Sequence, residues 1–545
     1  MRGVTTLPEL AACPTVSCLA ACRQDDFERK PRPPDPLGVK RQSPAVALRE
    51  DRTLYQRWPG MNVTQAVILA GGRGTRARIK SRFVDVVKVM LPVDRKPNLQ
   101  RNIEILRDQL NVTSILLIVG HGEEEVRSHF RDGRHLGVQI EYVRSDPDHG
   151  IADALFAVRD KVSNAFYVLL GDEFYLDFNH ATLKQTKHPG ADALVTFIRK
   201  HSPQEIARNY SLNLADDMRV IELCEKPQKV GNDLLGLGTF LLTDAVFEYI
   251  EKTPVHPVTR RKELIDVISN MAKERRVYAH ELRGIYVNIN TIDDWHFAQF
   301  LANQVGFPSK RKSLVIPTFN EADSISFVIN DFKDLVDEIV VVDGGSTDGT
   351  VEKLAELKDR FNLKLVQGKF QGYGDAIING VAAATGDIVT IVEGDATFRS
   401  RDMDKLYEYL KDCDMVIGTR TTCQLICQGA NMPFWLRIAN VTAAKFIELL
   451  WISKEPRFTD VGCTYRTFWK SSYEEIKHNL LGPGPELSPE MMIEFVRNDM
   501  RVIEIPVSYY ARIGGSSKHS FGVWGVSKTA LRMLVMVLKK KFGIS

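Results

Sequence analysis

The sequence lacks any paired CxxC, any uncharged apolar run of the about 18 to 20 residues that span a bilayer, and any sizeable net charge. Its eight cysteines, at 13, 18, 22, 224, 413, 423, 427 and 463, have no adjacent histidines, which argues against structural zinc. They read as reduced thiols of a cytosolic protein, and the five beyond residue 60 are expected to be small buried hydrophobes; no disulfide is assigned. No basic-then-apolar signal opens the chain, so a cytoplasmic location is expected. Lys and Arg number 72 against 69 Asp and Glu. The resulting +3 excludes a nucleic-acid binder held by its overall field, and any anion site must be local. What is present is ordinary globular composition, 44% hydrophobic and 26% charged over 545 residues, enough for several domains with sizeable cores.

Residues 1–60 hold 8 of the 24 prolines and show no sustained apolar periodicity. They are expected to be a disordered or non-native extension, with a targeting sequence as the alternative. Met61, just ahead of the first apolar run Ala66-Val67-Ile68-Leu69-Ala70, is expected to be the true start; native peptides upstream of it would refute this. From there short apolar runs at 115–119, 167–170 and 193–197 alternate with helical segments, and the pattern restarts at 313–316, 338–342 and 387–392. The alternation predicts an α/β fold of two consecutive domains with parallel sheets covered by helices, at 61–305 and 311–520, joined near 303–312 and followed by an amphipathic helix at 521–545. Ligands of such sheets lie beyond the carboxyl ends of the strands.

The first apolar run is followed by Gly71-Gly72-Arg73-Gly74-Thr75-Arg76, then Lys88 and Leu91-Pro92-Val93. Glycines here let backbone N–H groups approach phosphates, and Arg76 and Lys88 add positive charge where a polyphosphate would sit. The spacing is neither the Walker nor the dinucleotide pattern. With Gly150 to Ala154, Gly171-Asp172 and Glu225-Lys226-Pro227, it resembles the sugar-phosphate nucleotidyltransferases. That resemblance implies that Gly71, Gly72, Gly74 and Thr75 cradle the nucleotide, that Arg76 and Lys88 neutralise the triphosphate catalytically, and that Asp172 ligates Mg2+ (or Mn2+). Glu225 and Lys226 would contact the sugar phosphate. Where the family's second metal ligand is an Asp, this chain has Asn288 in Tyr286-Val287-Asn288-Ile289-Asn290-Thr291. An amide oxygen can coordinate the ion without the ion-pair contribution, and Asp293 is an alternative ligand.

In the second half, Pro317-Thr318-Phe319-Asn320-Glu321 and Asp343 to Thr350 follow two apolar runs, and Glu393-Gly394-Asp395 follows a third. With Gly418-Thr419-Arg420, Asp460 to Arg466 and Arg512 to Lys518, these resemble the family 2 glycosyltransferases, particularly the polyprenyl-phosphate (dolichyl-phosphate) sugar synthases. The resemblance implies a Rossmann-like, glycosyltransferase A-type domain that inverts the sugar's configuration. Pro317, Glu321, Asp343 and Asp348 would bind the nucleotide, and Glu393 and Asp395 the metal, with Asp395 also catalytic. Glu393 replaces an Asp and Thr397 a Gln of the family pattern. Arg420, Arg512, Ser517 and Lys518 would face phosphates. A sugar hydroxyl acceptor would need a base, for which Glu490 is the candidate, whereas a lipid phosphate would not.

The expected chemistry is synthesis of a nucleotide sugar from NTP and sugar 1-phosphate, followed by sugar transfer to an acceptor such as polyprenyl phosphate. Two alternatives stand beside it: a first domain charging a non-sugar phosphate such as phosphocholine, or a silent nucleotide sensor. Trp524, Leu531, Leu534, Leu538 and Phe542 recur at helical spacing near Lys528, Arg532 and Lys539 to Lys541, a segment suited either to an anionic membrane surface or to packing on the catalytic domain.

Overall fold

The computed structural model describes residues 63–72, 87–146, 150–186, 188, 190–257, 259–358, 360–514 and 522–543, with side chains from 529 in the last segment. The 1–60 extension and Met61 lie outside the described residues.

The first half folds around strands β1 (Gln65–Leu69), β2 (Pro92–Val93), β3 (Lys96–Pro97), β4 (Ser114–Val119), β5 (Gln139–Arg144) and β6 (Ala165–Leu170). They are followed by β7 (Glu173–Leu176), β8 (Ala193–Arg199), β9 (Tyr210–Leu214), β10 (Val220–Glu225), β11 (Leu234–Thr243), β12 (Val277–Glu281) and β13 (Ile285–Asn288). Nine of these make one sheet, running β10-β9-β11-β6-β1-β4-β5 with β8 attached to β11 and β12 to β8. β1 is parallel to β4 and β6, as the alternation predicts. Ala66 and Ile68 enter one core and Val67 the other, so both faces of β1 are covered, which is why it reads as an uninterrupted apolar run. The sheet is mixed rather than parallel. β11, all ten of whose residues are buried, runs antiparallel to β6, β8 and β9.

The second half contains β14 (Lys312–Thr318), β15 (Glu338–Asp343), β16 (Leu363–Gln367), β17 (Ile388–Ile391), β18 (Met415–Thr419), β19 (Arg466–Trp469) and β20 (Val502–Pro506), in the order β16-β15-β14-β17-β19-β18-β20. β14, β15, β16 and β17 are parallel, while β19 is antiparallel to β17 and β18. The stretch near 303–312 is packed rather than loose. Asn303 Nδ2 donates to Lys411 O at 2.9 Å, and Phe307 sits edge-on to Tyr407 and Trp469 at 5.7 and 6.0 Å. The five described cysteines are free. Cys413 and Cys463 are buried as expected, but Cys224 and Cys423 are exposed and Cys427 is half-buried, because they sit on a sheet-edge strand and in a surface loop.

Candidate active sites

A cleft of about 750 Å3 opens beyond the carboxyl ends of β1 and β6. Gly71, Gly72, Lys88, Asp172, Glu225, Lys226 and Asn288 all line it, so folding brings together seven residues picked from sequence. Gly74, Thr75 and Arg76 lie outside the described residues. A Cβ on Gly72 would meet no atom within 4 Å, so a side chain there would fill space that the cleft keeps open. Lys88 Nζ pairs with Asp172 Oδ2 at 2.6 Å and donates to Asn290 Oδ1 at 2.9 Å. The alternative ligand Asp293 does not line the cleft; it lies in the first turn of the helix Ile292–Gly306, and Asn290 reaches the site instead.

The antiparallel pairing of β7 with β13 sets Asn288 opposite Glu173, and Ile289 N donates to Asp172 O at 3.2 Å. Asn288 Nδ2 donates to Asn209 Oδ1 at 2.8 Å, which leaves Asn288 Oδ1 buried without a hydrogen-bond partner. Behind it Glu173 accepts from the hydroxyls of Tyr175 and Tyr286 and from Gly238 N. Burial outweighs these bonds and raises the Glu173 carboxyl to about 7. At the opposite wall burial also raises Glu225, against the pull of Lys226 Nζ at 2.7 Å.

In the second half, Glu321, Asp343, Glu393 and Asp395 follow or end the strands β14, β15 and β17. Arg512 bridges two of them, Nη1 donating to Glu321 Oε1 at 2.9 Å and Nη2 pairing with Asp395 Oδ2 at 2.8 Å. Thr397, at the position where the family pattern has Gln, turns back to Asp395 Oδ1 through N (3.0 Å) and Oγ1 (2.7 Å). Thr464 Oγ1 donates to Glu393 Oε1 at 3.0 Å, and burial together with the Asp395 charge holds the Glu393 carboxyl well above the usual carboxylate range.

Other expected residues have local duties. Pro317 is buried within β14. Asp343 accepts from Gly345 N and Ser346 N, and Asp348 accepts from Ala322 N and Thr350 N, so the two carboxylates shape and join the loops after β14 and β15. The Arg420 guanidinium forks onto buried Asp460 through Nε and Nη2 at 2.8 and 2.9 Å, which fixes its orientation. Glu490 is 1% exposed and accepts from Leu481 N at 3.0 Å, Gly482 N at 2.8 Å and Lys540 Nζ at 2.9 Å, so it anchors a turn. Ser517 and Lys518 lie outside the described residues.

Set beside known proteins, residues 65–299 match the model of the nucleotidyl transferase family and residues 313–476 that of glycosyl transferase family 2. The chain is a nucleotidyltransferase followed by a family 2 glycosyltransferase. The nucleotidyltransferase domain is 28% identical over 249 residues to a UTP--glucose-1-phosphate uridylyltransferase of Haloferax volcanii, covering 45% of this chain and 93% of that one. The glycosyltransferase domain is 28% identical over 205 residues to the glycosyltransferase AglJ of the same organism, covering 37% of this chain and 64% of that protein. It is also 28% identical over 216 residues to a dolichol-phosphate mannosyltransferase of Pyrococcus furiosus, covering 38% and 58% respectively.

Both domains carry donor sets that fit a divalent cation. In the nucleotidyltransferase cleft these are the unpartnered Asn288 Oδ1 and Asp172; in the glycosyltransferase they are half-buried Glu393 and its buried neighbour Asp395. Among the described residues no three His, Cys, Asp or Glu side chains gather, so neither set is a closed structural metal site. Glu173, Asn209, Asn290 and Thr464 were not selected from sequence. Glu173 stands directly after Gly171-Asp172, Asn290 in the string that holds Asn288, and Thr464 within Asp460 to Arg466; Asn209 carried no signal.

Proposed function

We propose that the nucleotidyltransferase domain joins a sugar 1-phosphate to an NTP with release of pyrophosphate, and that the glycosyltransferase domain passes a sugar from a nucleotide sugar to polyprenyl phosphate. The observation that carries this is the Lys88–Asp172–Asn290 cluster facing Glu225 and Lys226 across one cleft. In the first step a phosphate oxygen of the sugar phosphate attacks the α-phosphorus, and the bond to the β-phosphate breaks. Lys88, fixed by Asp172 and Asn290, presents a point charge to the phosphates, and Lys226 presents another from the opposite wall. Asp172 with Asn288, and Glu393 with Asp395, would hold Mg2+ or Mn2+, which supplies positive charge against phosphate oxygens.

In the second step Arg512, already aligned by Glu321 and Asp395, can direct N–H groups at phosphate oxygens. A phosphate acceptor is anionic near neutral pH and needs no general base, in keeping with a Glu490 that anchors a turn.

The test is pyrophosphate release by the full chain with Mg2+, five NTPs and a panel of sugar 1-phosphates. Release is expected with at least one pair, and Lys88→Ala should lower it about 100-fold or more. Absence of release with every sugar phosphate would overturn the first step. Transfer from supplied nucleotide sugars to polyprenyl phosphate in detergent, lost in Asp395→Ala, tests the second.

A further inference from the structure

Eight exposed large apolar side chains fall on two helices. The helix Phe434–Leu450 leaves Phe434, Trp435 (63% exposed), Ile438 and Leu449 in solvent, and buries only Ala444 and Ile447 fully. The helix Gly522–Phe542 leaves Leu531 (62%), Leu534, Val535 and Phe542 (70%) in solvent while Met536 and Val537 enter the core. The latter helix therefore has two apolar faces, one docked and one open. It is not loosely held: Arg532 pairs with Glu486 at 2.5 Å, and Lys540 with Glu490 and Glu494 at 2.9 and 3.2 Å. Lys541 contacts Leu450 O and lies over the Trp451 ring at 5.5 Å, which joins the ends of the two helices.

Charge and position identify what this surface meets. Gly522–Phe542 contains five Lys and Arg and no acidic residue; Arg532 and Lys540 are paired with Glu486, Glu490 and Glu494, while Lys539 and Lys541 are exposed. The location of the two helices is beside the glycosyl-transfer site. A Cβ on Gly462 would stand 3.1 Å from Arg420 Nη2 and 3.2 Å from Asn440 Oδ1, which places Phe434–Leu450 against the Arg420–Asp460 pair. Arg512, bonded to Asp395, precedes Gly522 by ten residues. Among the described residues no helix is long and apolar enough to cross a membrane.

We infer that the open faces of Phe434–Leu450 and Gly522–Phe542 form a docking surface for an anionic lipid bilayer, with apolar side chains entering the interface and lysines meeting headgroup phosphates. Its purpose rests on the polyprenyl-acceptor reading, since it sets the Asp395–Arg512 site at a bilayer surface.

The experiment is flotation of the full chain with vesicles of phosphatidylcholine alone or mixed with phosphatidylglycerol, both free of polyprenyl phosphate. The chain is expected to float with the anionic vesicles and to be released by high salt. The triple variant Trp435→Ser, Leu531→Ser, Leu534→Ser should lower partitioning at least about tenfold with an unchanged melting temperature, since these side chains touch solvent rather than core. No flotation, or equal flotation of the variant, overturns the surface. So does a dimer in sedimentation that the variant converts to monomer, which would make the face a self-interface. Flotation without transfer to polyprenyl phosphate in detergent would leave the surface standing and sink the acceptor reading alone.

Discussion

At Asn288 the loss of a carboxylate is partly made good by orientation. Its amide nitrogen is committed to Asn209, so the oxygen is the atom presented without a partner in the cleft that holds Asp172. Asn288→Asp restores a full charge beside that site. Mn2+ affinity of the ligand-free protein, read by paramagnetic relaxation, is expected to tighten about tenfold, equivalent to about 1.4 kcal/mol. The variant gives up the donor to Asn209, and a small drop in melting temperature should accompany the gain. Weaker Mn2+ binding in the variant would rule out Asn288 as a ligand. Deeper in the same domain, burial lowers His180 from 6.5 to about 3, and its ring touches Thr239 Oγ1 at 3.3 Å. The folded state takes up this proton less readily than the unfolded chain. Its stabilising contribution is therefore present above pH 6.5 and lost as pH falls toward about 3. At pH 5 the loss amounts to about 2 kcal/mol. Glu173, raised toward neutrality, acts with the opposite sign, so the effect is read as a difference. Between pH 7 and 5 the first domain of His180→Gln should lose about 2 kcal/mol less stability than the parent in urea unfolding.

Among the elements, strands with apolar runs were legible because a strand covered on both faces has no room for alternation; β1, β4, β14 and β15 are of this kind. Antiparallel β11 and β19 were not, since direction of pairing leaves no mark in such a run. At the sites, residues next to a glycine turn or strand end were found, including Lys88, Asp172, Glu393 and Asp395. Asn209 was missed because its position carries no pattern, and Thr464, though inside the Asp460 to Arg466 string, was not singled out; they reach the sites through tertiary pairing with Asn288 and Glu393. For Glu490 the sequence shows a carboxylate and not its donors, and those come from a turn eight and nine residues upstream and from a helix fifty residues downstream. That turn also governs the helix Tyr373–Ala383. A Cβ on Gly374 would lie 2.2 Å from Gly482 O and 2.7 Å from Gly484 O, both backbone atoms with no rotamer to yield. Gly374→Ala should destabilise the glycosyltransferase domain by about 1 to 3 kcal/mol, lowering its calorimetric transition and leaving that of the nucleotidyltransferase domain in place.

For the whole molecule, the question is what two transferases in one chain gain from each other. Fusion multiplies effective concentration when both partners stay bound to the tether, as linked binding modules do. A nucleotide sugar is not tethered; it leaves the first cleft into solvent and diffuses away far faster than an enzyme turning over about 10 times per second can consume it. Covalent linkage by itself therefore fixes stoichiometry and shared location, without speeding the passage of each molecule. An equimolar mixture of Lys88→Ala and Asp395→Ala chains, each defective in one step, should make the final glycolipid with the same lag and the same steady rate as wild type at equal concentration of active sites. A markedly shorter lag for wild type would require directed transfer between the domains. On vesicles, the proposed docking surface and the proposed lipid acceptor together predict that the mixture and the wild type gain equally over detergent, since every chain would be concentrated on one surface.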